Sequence, residues 1–264
     1  MEKSLYFKNT KVSFIDSGKG PVVVLLHGFL ENKTMWKDLI SQISLKNRVL
    51  AIDLLGHGKT DCLGYVHSME MMAETVYFVL KTLKIKKITF IGHSMGGYVS
   101  LAFAEKQPKM IRGLCLLNSS AMEDDAERKK TRTRAIQLVK KDFRAMIRMS
   151  IMNLFEKKNN SLFKAEVNLA LEEALKTPLQ GYIACQEGMK IRPNRTNVLC
   201  QNHFKKLFIA GEKDPVLSIK KVMKEATATH SEIAILSGGH MSHIENKTKL
   251  ISTLKVFIKD CLKK

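Results

Sequence analysis

A serine between glycines, Gly92-His-Ser-Met-Gly96, is the first place in this chain where residue types and spacing point to chemistry. A serine hydroxyl attacks a carbonyl only when a base takes its proton and an acidic group orients that base. The pattern G-x-S-x-G leaves room on both sides of the serine, so that it can stand on a sharp turn between a strand and a helix. The flanks fit such a turn: Ile88-Thr-Phe-Ile91 reads as a strand, and Met95–Glu105 reads as a helix, with Gly97 adding space for close backbone approach.

The acid and the base of such a site follow the serine in chain order, each after a late strand. Lys206-Leu-Phe-Ile-Ala-Gly211 reads as one late strand and leads to Glu212-Lys-Asp-Pro215; Ile233-Ala-Ile-Leu236 reads as another and leads to Ser237-Gly-Gly-His-Met241. Asp214 is favoured over Glu212 because it lies further along the loop and precedes Pro215, whose fixed φ sets the turn. His240 is favoured over His243 because Gly238-Gly239 turns the chain tightly before it, whereas His243 belongs to the start or support of the last helix. The developing oxyanion needs two donors. They are expected in the backbone N–H of Met95, next to Ser94, and of Phe29, in the loop His27-Gly-Phe-Leu30 that follows the run Val22–Leu26. The Phe29 ring then stands where it can wall the acyl pocket.

The elements that must position these residues follow from apolar runs. Leu5–Phe7 and Val12–Asp16 suggest a hairpin, and Pro21–Leu26, Arg48–Asp53, Lys87–Gly92 and Gly113–Asn118 are continuous apolar runs suited to parallel strands buried on both faces. Helical period lies between them, as at Ser68–Leu83. The alternation predicts an α/β fold built from βαβ units. It stops near Ser119: residues 121–197 carry helical pattern without a strand run, with Ile136, Val139, Phe143, Met146 and Ile147 on one face and another helix at Asn168–Leu175. The rhythm then resumes through Lys206–Gly211, Ile219–Ala226, Ile233–Leu236 and a closing helix, Glu245–Leu262. The chain is therefore divided into a core domain, 1–120 with 198–264, and a helical lid, 121–197, over the carboxyl edge of the sheet, where α/β folds bind ligands.

Composition narrows the partners. The 264 residues carry a net charge of +19, which raises a nucleic-acid or anionic-membrane reading. The excess is spread through residues 1–120, 121–200 and 201–264 rather than gathered in a basic arm, so a lysine-rich surface and no nucleic-acid partner are expected. One local cluster, Arg128-Lys-Lys-Thr-Arg-Thr-Arg134 after Glu123-Asp-Asp-Ala-Glu127, fits the dipole and the i,i+4 pairs of a single helix; its other reading is a basic wall that steers anionic substrates. Met69, Met71, Met72, Met146, Met149 and Met152 fit core filling better than an adaptable pocket lining. Five cysteines without a C-x-x-C pair, no apolar signal segment and no membrane-length run predict a cytoplasmic protein without a membrane span. His27, His57 and His93 read as loop-packing residues. No metal spacing and no phosphate-type glycine loop is present, so neither a metal nor another cofactor is expected, and a small-molecule substrate is.

Taken together, His27-Gly-Phe29, Asp53-Leu-Leu-Gly-His-Gly58, Gly92-His-Ser-Met-Gly-Gly97, Gly211-Glu-Lys-Asp214 and Gly239-His-Met-Ser-His-Ile-Glu245 resemble the α/β-hydrolase superfamily, in its order and over nearly the whole chain. Leu55 stands where relatives often carry proline. The resemblance implies an eight-stranded, mostly parallel sheet flanked by helices, a cap inserted after the sixth strand, and a Ser94, Asp214, His240 triad. A serine at the elbow sets the chain apart from the similar haloalkane dehalogenases and epoxide hydrolases, which use aspartate. It favours cleavage of a small or medium ester-like substrate through an acyl-enzyme. C–C bond hydrolysis, the pyruvate-eliminating synthase of menaquinone biosynthesis, and a small-molecule sensor of the same fold stay open as alternatives.

Overall fold

The computed structural model describes residues 1–263, and each expected strand run is a strand of one eight-stranded sheet. β1 (Glu2–Phe7) and β2 (Thr10–Ser17) form the hairpin, turned at Lys8-Asn9. β3 (Val22–Leu26), β4 (Arg48–Ile52), β5 (Ile88–His93), β6 (Ile111–Leu117), β7 (Lys205–Gly211) and β8 (Glu232–Leu236) complete it in the order β1-β2-β4-β3-β5-β6-β7-β8. β1–β2 and β2–β4 pair antiparallel, and every other pair is parallel. Central β5 is buried along its whole length, which is why its sequence is apolar without alternation. The edge strand β8 leaves Ile233 and Ile235 exposed.

Helices α1 (Lys37–Ile43), α2 (Met69–Thr82) and α3 (Met95–Lys106) follow strands β3, β4 and β5. Ser68 ends the loop before α2 by accepting the Met71 N–H, so this helix starts one residue after the predicted boundary. α2 and α3 cover one face of the sheet, where Phe90 meets Phe103 edge-on at 5.0 Å. The other face is covered by α1 and, at the end of the chain, by α12 (Lys247–Asp260), with Trp36, Leu250, Leu254 and Phe257 buried. Burying one such side chain is worth about 1.5–3 kcal/mol, so each layer contributes strongly to folding.

Between β6 and β7 the chain makes a helical excursion: α4 (Ala126–Val139), α5 (Phe143–Met152), α6 (Asn159–Leu162), α7 (Lys164–Ala174), α8 (Leu179–Lys190) and α9 (Thr196–Gln201). Val139, Met146, Ile147, Ile151, Val167 and Tyr182 give it a small core of its own. The boundary expected at 197 falls inside α9. Met69, Met72 and Met146 fill cores as expected, but Met149 and Met152 project to the surface, because α5 turns 143, 146, 147 and 151 inward instead. After β7 come α10 (Ile219–Ala228), then β8 and the short α11 (Ser242–Glu245). No helix among the described residues is long and apolar enough to cross a membrane.

A buried ion pair pins the loops after β3 and β4. Lys33 Nζ lies 2.5 Å from Asp53 Oδ2 and donates to Ser13 Oγ at 3.0 Å, while the Lys33 and Lys59 N–H groups also donate to the Asp53 carboxylate. The Asp53 side chain is wholly shielded. Removing only the cation leaves a buried carboxylate short of its counter-charge, a change that costs about 3 kcal/mol or more. Lys33→Met is therefore expected to lower the thermal midpoint by roughly 5–10 °C, read from Trp36, the single tryptophan, three residues away. Adding Asp53→Asn should restore part of the loss; a midpoint unchanged in the single variant would show that the pair contributes nothing.

Candidate active site

The sheet order itself makes a crevice. From β3 the chain runs to β4 on one side, then returns to place β5 on the other, and such a reversal opens a gap at the carboxyl ends of the two strands. The loop that follows β3 carries Phe29, and the turn that follows β5 carries Ser94.

Ser94 has φ 49° and ψ −114°, a strained combination for a residue with a side chain, of the kind that costs about 1–3 kcal/mol. The surroundings hold it there. Its N–H donates to the Leu117 carbonyl at 2.9 Å, and its carbonyl accepts from Ser119 Oγ at 2.8 Å and from Gly97 N–H at 2.9 Å. The turn is so tight that a Cβ on Gly92 would come within 2.5 Å of the Gly96 carbonyl oxygen, and one on Gly96 within 2.3 Å of the Leu26 carbonyl oxygen. The glycines of the motif are therefore required by close backbone approach.

The structure brings Ser94, His240 and Asp214 into one line. His240 Nδ1 is 2.7 Å from Asp214 Oδ2, and His240 Nε2 is 2.9 Å from Ser94 Oγ. An ionised carboxylate only accepts, so Nδ1 carries the proton and Nε2 is left to accept from the Ser94 hydroxyl. Asp214 Oδ1 accepts the Val216 and Leu217 N–H groups at 2.8 and 3.0 Å, and Oδ2 also accepts from Asn118 Nδ2 at 3.0 Å. Burial pushes the Asp214 carboxyl up, but His240 and these donors outweigh it and hold the carboxyl below its ordinary range. Glu212 is exposed, and the His240 ring donates its Nδ1 hydrogen bond to Asp214 instead. His243 lies in α11 against the edge of the His93 ring, 5.6 Å between centroids.

The N–H groups of Phe29 and Met95 have no acceptor among the described residues. The loop that carries the first is anchored by neutral histidines. His57 Nε2 accepts the Leu30 N–H at 3.1 Å, and His27 Nε2 accepts the Leu54 N–H at 2.9 Å. Burial holds His57 down to about 3, so that it stays an acceptor at neutral pH. The Phe29 ring packs between His57 and Tyr182 of α8.

Several residues that support the site were not singled out in the sequence. Glu31 Oε2 accepts from the Gly28 N–H at 2.6 Å and from His93 Nδ1 at 2.7 Å, while His93 Nε2 donates to the His240 carbonyl at 3.0 Å. Both His93 nitrogens thus donate, and the ring is an imidazolium paired with Glu31. Burial alone disfavours the charged form of each, but their mutual attraction raises His93 and holds Glu31 at about 2. Glu31, His93 and His243 offer ligand atoms within 4.8 Å of one another, yet the His93 nitrogens are spent on these two bonds, which reads as an ion pair rather than a metal site. Asn118, at the end of β6, joins Asp214 to Ser242 through its side chain. The only local signal was position: Asn118 directly follows β6, and Glu31 lies in the loop after β3, five residues beyond its end.

A cavity of about 100 Å³ opens on Ser94 and His240 and is lined also by Phe29, Tyr98, Arg128, Arg132, Ser150 and Leu154. The basic segment after Glu123 thus divides. Lys130 pairs with Glu127 one turn away on the surface, as expected of a single helix, but Glu123 and Asp124 precede α4, so Lys129 meets Glu123 from outside the helix; Arg128 and Arg132 line the cavity.

Known proteins share the fold. Residues 21–247 match the family model described as alpha/beta hydrolase fold. A 3-oxoadipate enol-lactonase of Acinetobacter baylyi is 25% identical over 260 residues, 96% of this chain and 94% of that one. An uncharacterised protein of Mycobacterium tuberculosis is 33% identical over 113 residues, 43% of this chain, and the match spans only a third (33%) of that relative's length. Among solved structures, a thermophilic esterase of Thermogutta terrifontis, with malate bound, superposes over 100% of both chains with a TM-score of 0.93 at 25% identity. The enol-lactonase of Burkholderia xenovorans shares the fold at a TM-score of 0.90 and 21% identity, covering 97% of this chain and 100% of that one.

Proposed function

Because the chain belongs to the alpha/beta hydrolase fold family, we propose that it cleaves a small or medium ester-like substrate through an acyl-enzyme. The reading rests on one observation above all: an unbroken hydrogen-bond line from Asp214 through His240 to Ser94, at 2.7 and 2.9 Å. The similarity to proteins named as an esterase and as enol-lactonases fits the same bond type.

In this reading His240 Nε2 takes the Ser94 proton as Oγ attacks the acyl carbon. The charge that gathers on the former carbonyl oxygen is met by the Phe29 and Met95 N–H groups, which have no other acceptor to release. His240 then gives its proton to the leaving alkoxide. It next takes one from water, which attacks the acyl-serine and frees the acid. Asp214 stays ionised throughout and stabilises the imidazolium. Residues 121–197 act as the cap over the cavity, and the protein needs no cofactor for these steps.

The cavity at about 100 Å³ is small beside drug-sized pockets of roughly 300–1,000 Å³, which favours short acyl groups. On a panel of p-nitrophenyl esters, a thioester and a lactone, kcat/KM for acetate to butyrate is expected to exceed that for octanoate by about tenfold or more. A preference for octanoate would overturn the size reading, and no turnover of any member would overturn ester cleavage.

A further inference from the structure

Three arginines share one carboxylate at the wall of the Ser94 cavity. The Asp124 side chain is fully buried. Arg132 donates to it through Nε, Arg192 Nη1 lies 2.7 Å from its Oδ1, and Arg128 Nε lies 3.3 Å from that same oxygen. The other partner of the Arg132 guanidinium is neutral, the Gln186 carbonyl at 2.9 Å. The next carboxyl, Glu225, is turned to the Ser120 hydroxyl and the Ala121 N–H, and burial pushes it up. The arginine it acts on is Arg192, which lies over the Tyr98 ring at 4.0 Å and so stands behind the cavity wall. Positive charge is therefore in excess at this wall, and of the three arginines Arg128 and Arg132 line the cavity.

Arg128 is also undercommitted. Of the five N–H donors a guanidinium offers, Arg128 uses one in a hydrogen bond among the described residues, Nη1 to the Val216 carbonyl at 2.9 Å. Excess charge at a partly dry wall is costly until an anion neutralises it, and a guanidinium matches a carboxylate in a planar, two-point contact. We propose that this wall receives a second carboxylate on the acyl group, so that the substrates are half-esters of short dicarboxylic acids. The inference rests on the ester-hydrolase reading of the same site. Ser94 marks one end of the acyl group and the arginines mark the other, in a cavity with room for only a short chain between them. The reaction consumes one water and releases a dicarboxylate and an alcohol.

The test compares monoethyl glutarate with ethyl pentanoate in a pH-stat, substrates alike in chain length and different in charge. The wild-type kcat/KM is expected to favour the half-ester by about tenfold or more, and Arg128→Gln to lower that ratio by about tenfold. Lys130→Gln, on the exposed side of the same helix, should leave the ratio as it is. Binding of glutarate to Ser94→Ala protein, by calorimetry, is expected and should weaken when Arg128→Gln is added. Turnover of ethyl pentanoate with a wild-type ratio of one or less would overturn the carboxylate site while ester cleavage stands. Glutarate binding that depends on Arg128, without turnover of either ester, would support the carboxylate site and overturn the ester reading. A folded Arg128→Gln that keeps both the wild-type ratio and glutarate binding would overturn the proposal.

Discussion

Ser94→Ala should lower kcat/KM for p-nitrophenyl butyrate by a factor of about 10⁴ or more, with the thermal midpoint within a few degrees of wild type. The activity loss is large because nothing else at the turn can form the acyl intermediate. The stability change is small because the Ser94 side chain makes one hydrogen bond, to His240 Nε2, while the backbone contacts that hold its φ of 49° are untouched. Alanine inherits that strained φ, so no strain is released. Adding His240→Ala to Ser94→Ala should cost less than about tenfold more, since groups that act as a unit do not add. Near-normal turnover in the single variant would remove Ser94 from the mechanism.

Asp214→Asn should lower kcat by a factor on the order of 10³–10⁴. The contacts of the side chain dictate the cause. Oδ1 is held by two backbone donors, Val216 and Leu217, so the amide oxygen of asparagine must stay on that side. The amide nitrogen then faces His240 Nδ1 and also the Nδ2 of Asn118, both of which are donors now. To accept from that nitrogen, His240 must move its proton to Nε2, and a protonated Nε2 no longer accepts from Ser94. Glu212→Gln is the control and should keep wild-type turnover, because that side chain is exposed. The opposite result in the two variants would exchange the acid role between them.

Much of this arrangement was legible because it is written in local spacing. β3, β5, β6 and β7 are apolar without alternation because both of their faces are covered, and the serine turn is flanked by glycines because no Cβ fits there. Asp214 and His240 were placed by their position after late strands. What escaped were contacts between residues far apart in sequence. The Glu31–His93 pair joins positions 62 apart, and Arg192 reaches Asp124 from α8's far end, where nothing in its neighbours marks it. Burial of charge on charge leaves no periodic trace, so His93 read as a packing residue although it is an imidazolium that holds the His240 carbonyl.

The excursion from β6 to β7 leaves and rejoins the sheet at neighbouring strands, already paired from Gly113 with Lys205 to Leu117 with Ile209. The entropy of closing such a detour rises by only about 0.6 kcal/mol for each doubling of its length. Ser94, Asp214 and His240 all stand outside it, and among the described residues the His240 loop is tied to it by one backbone bond, His240 N–H to the Leu154 carbonyl. A change in the length of α4 to α7 can thus be absorbed between the strand ends, whereas α8 and α9 place Cys185, Met189, Val198 and Leu199 in the core that covers the sheet. The fold thus separates two tasks: Ser94, Asp214 and His240 ride on strand-end loops, while Arg128, Arg132, Ser150 and Leu154 of the cavity wall ride on the segment between β6 and β7.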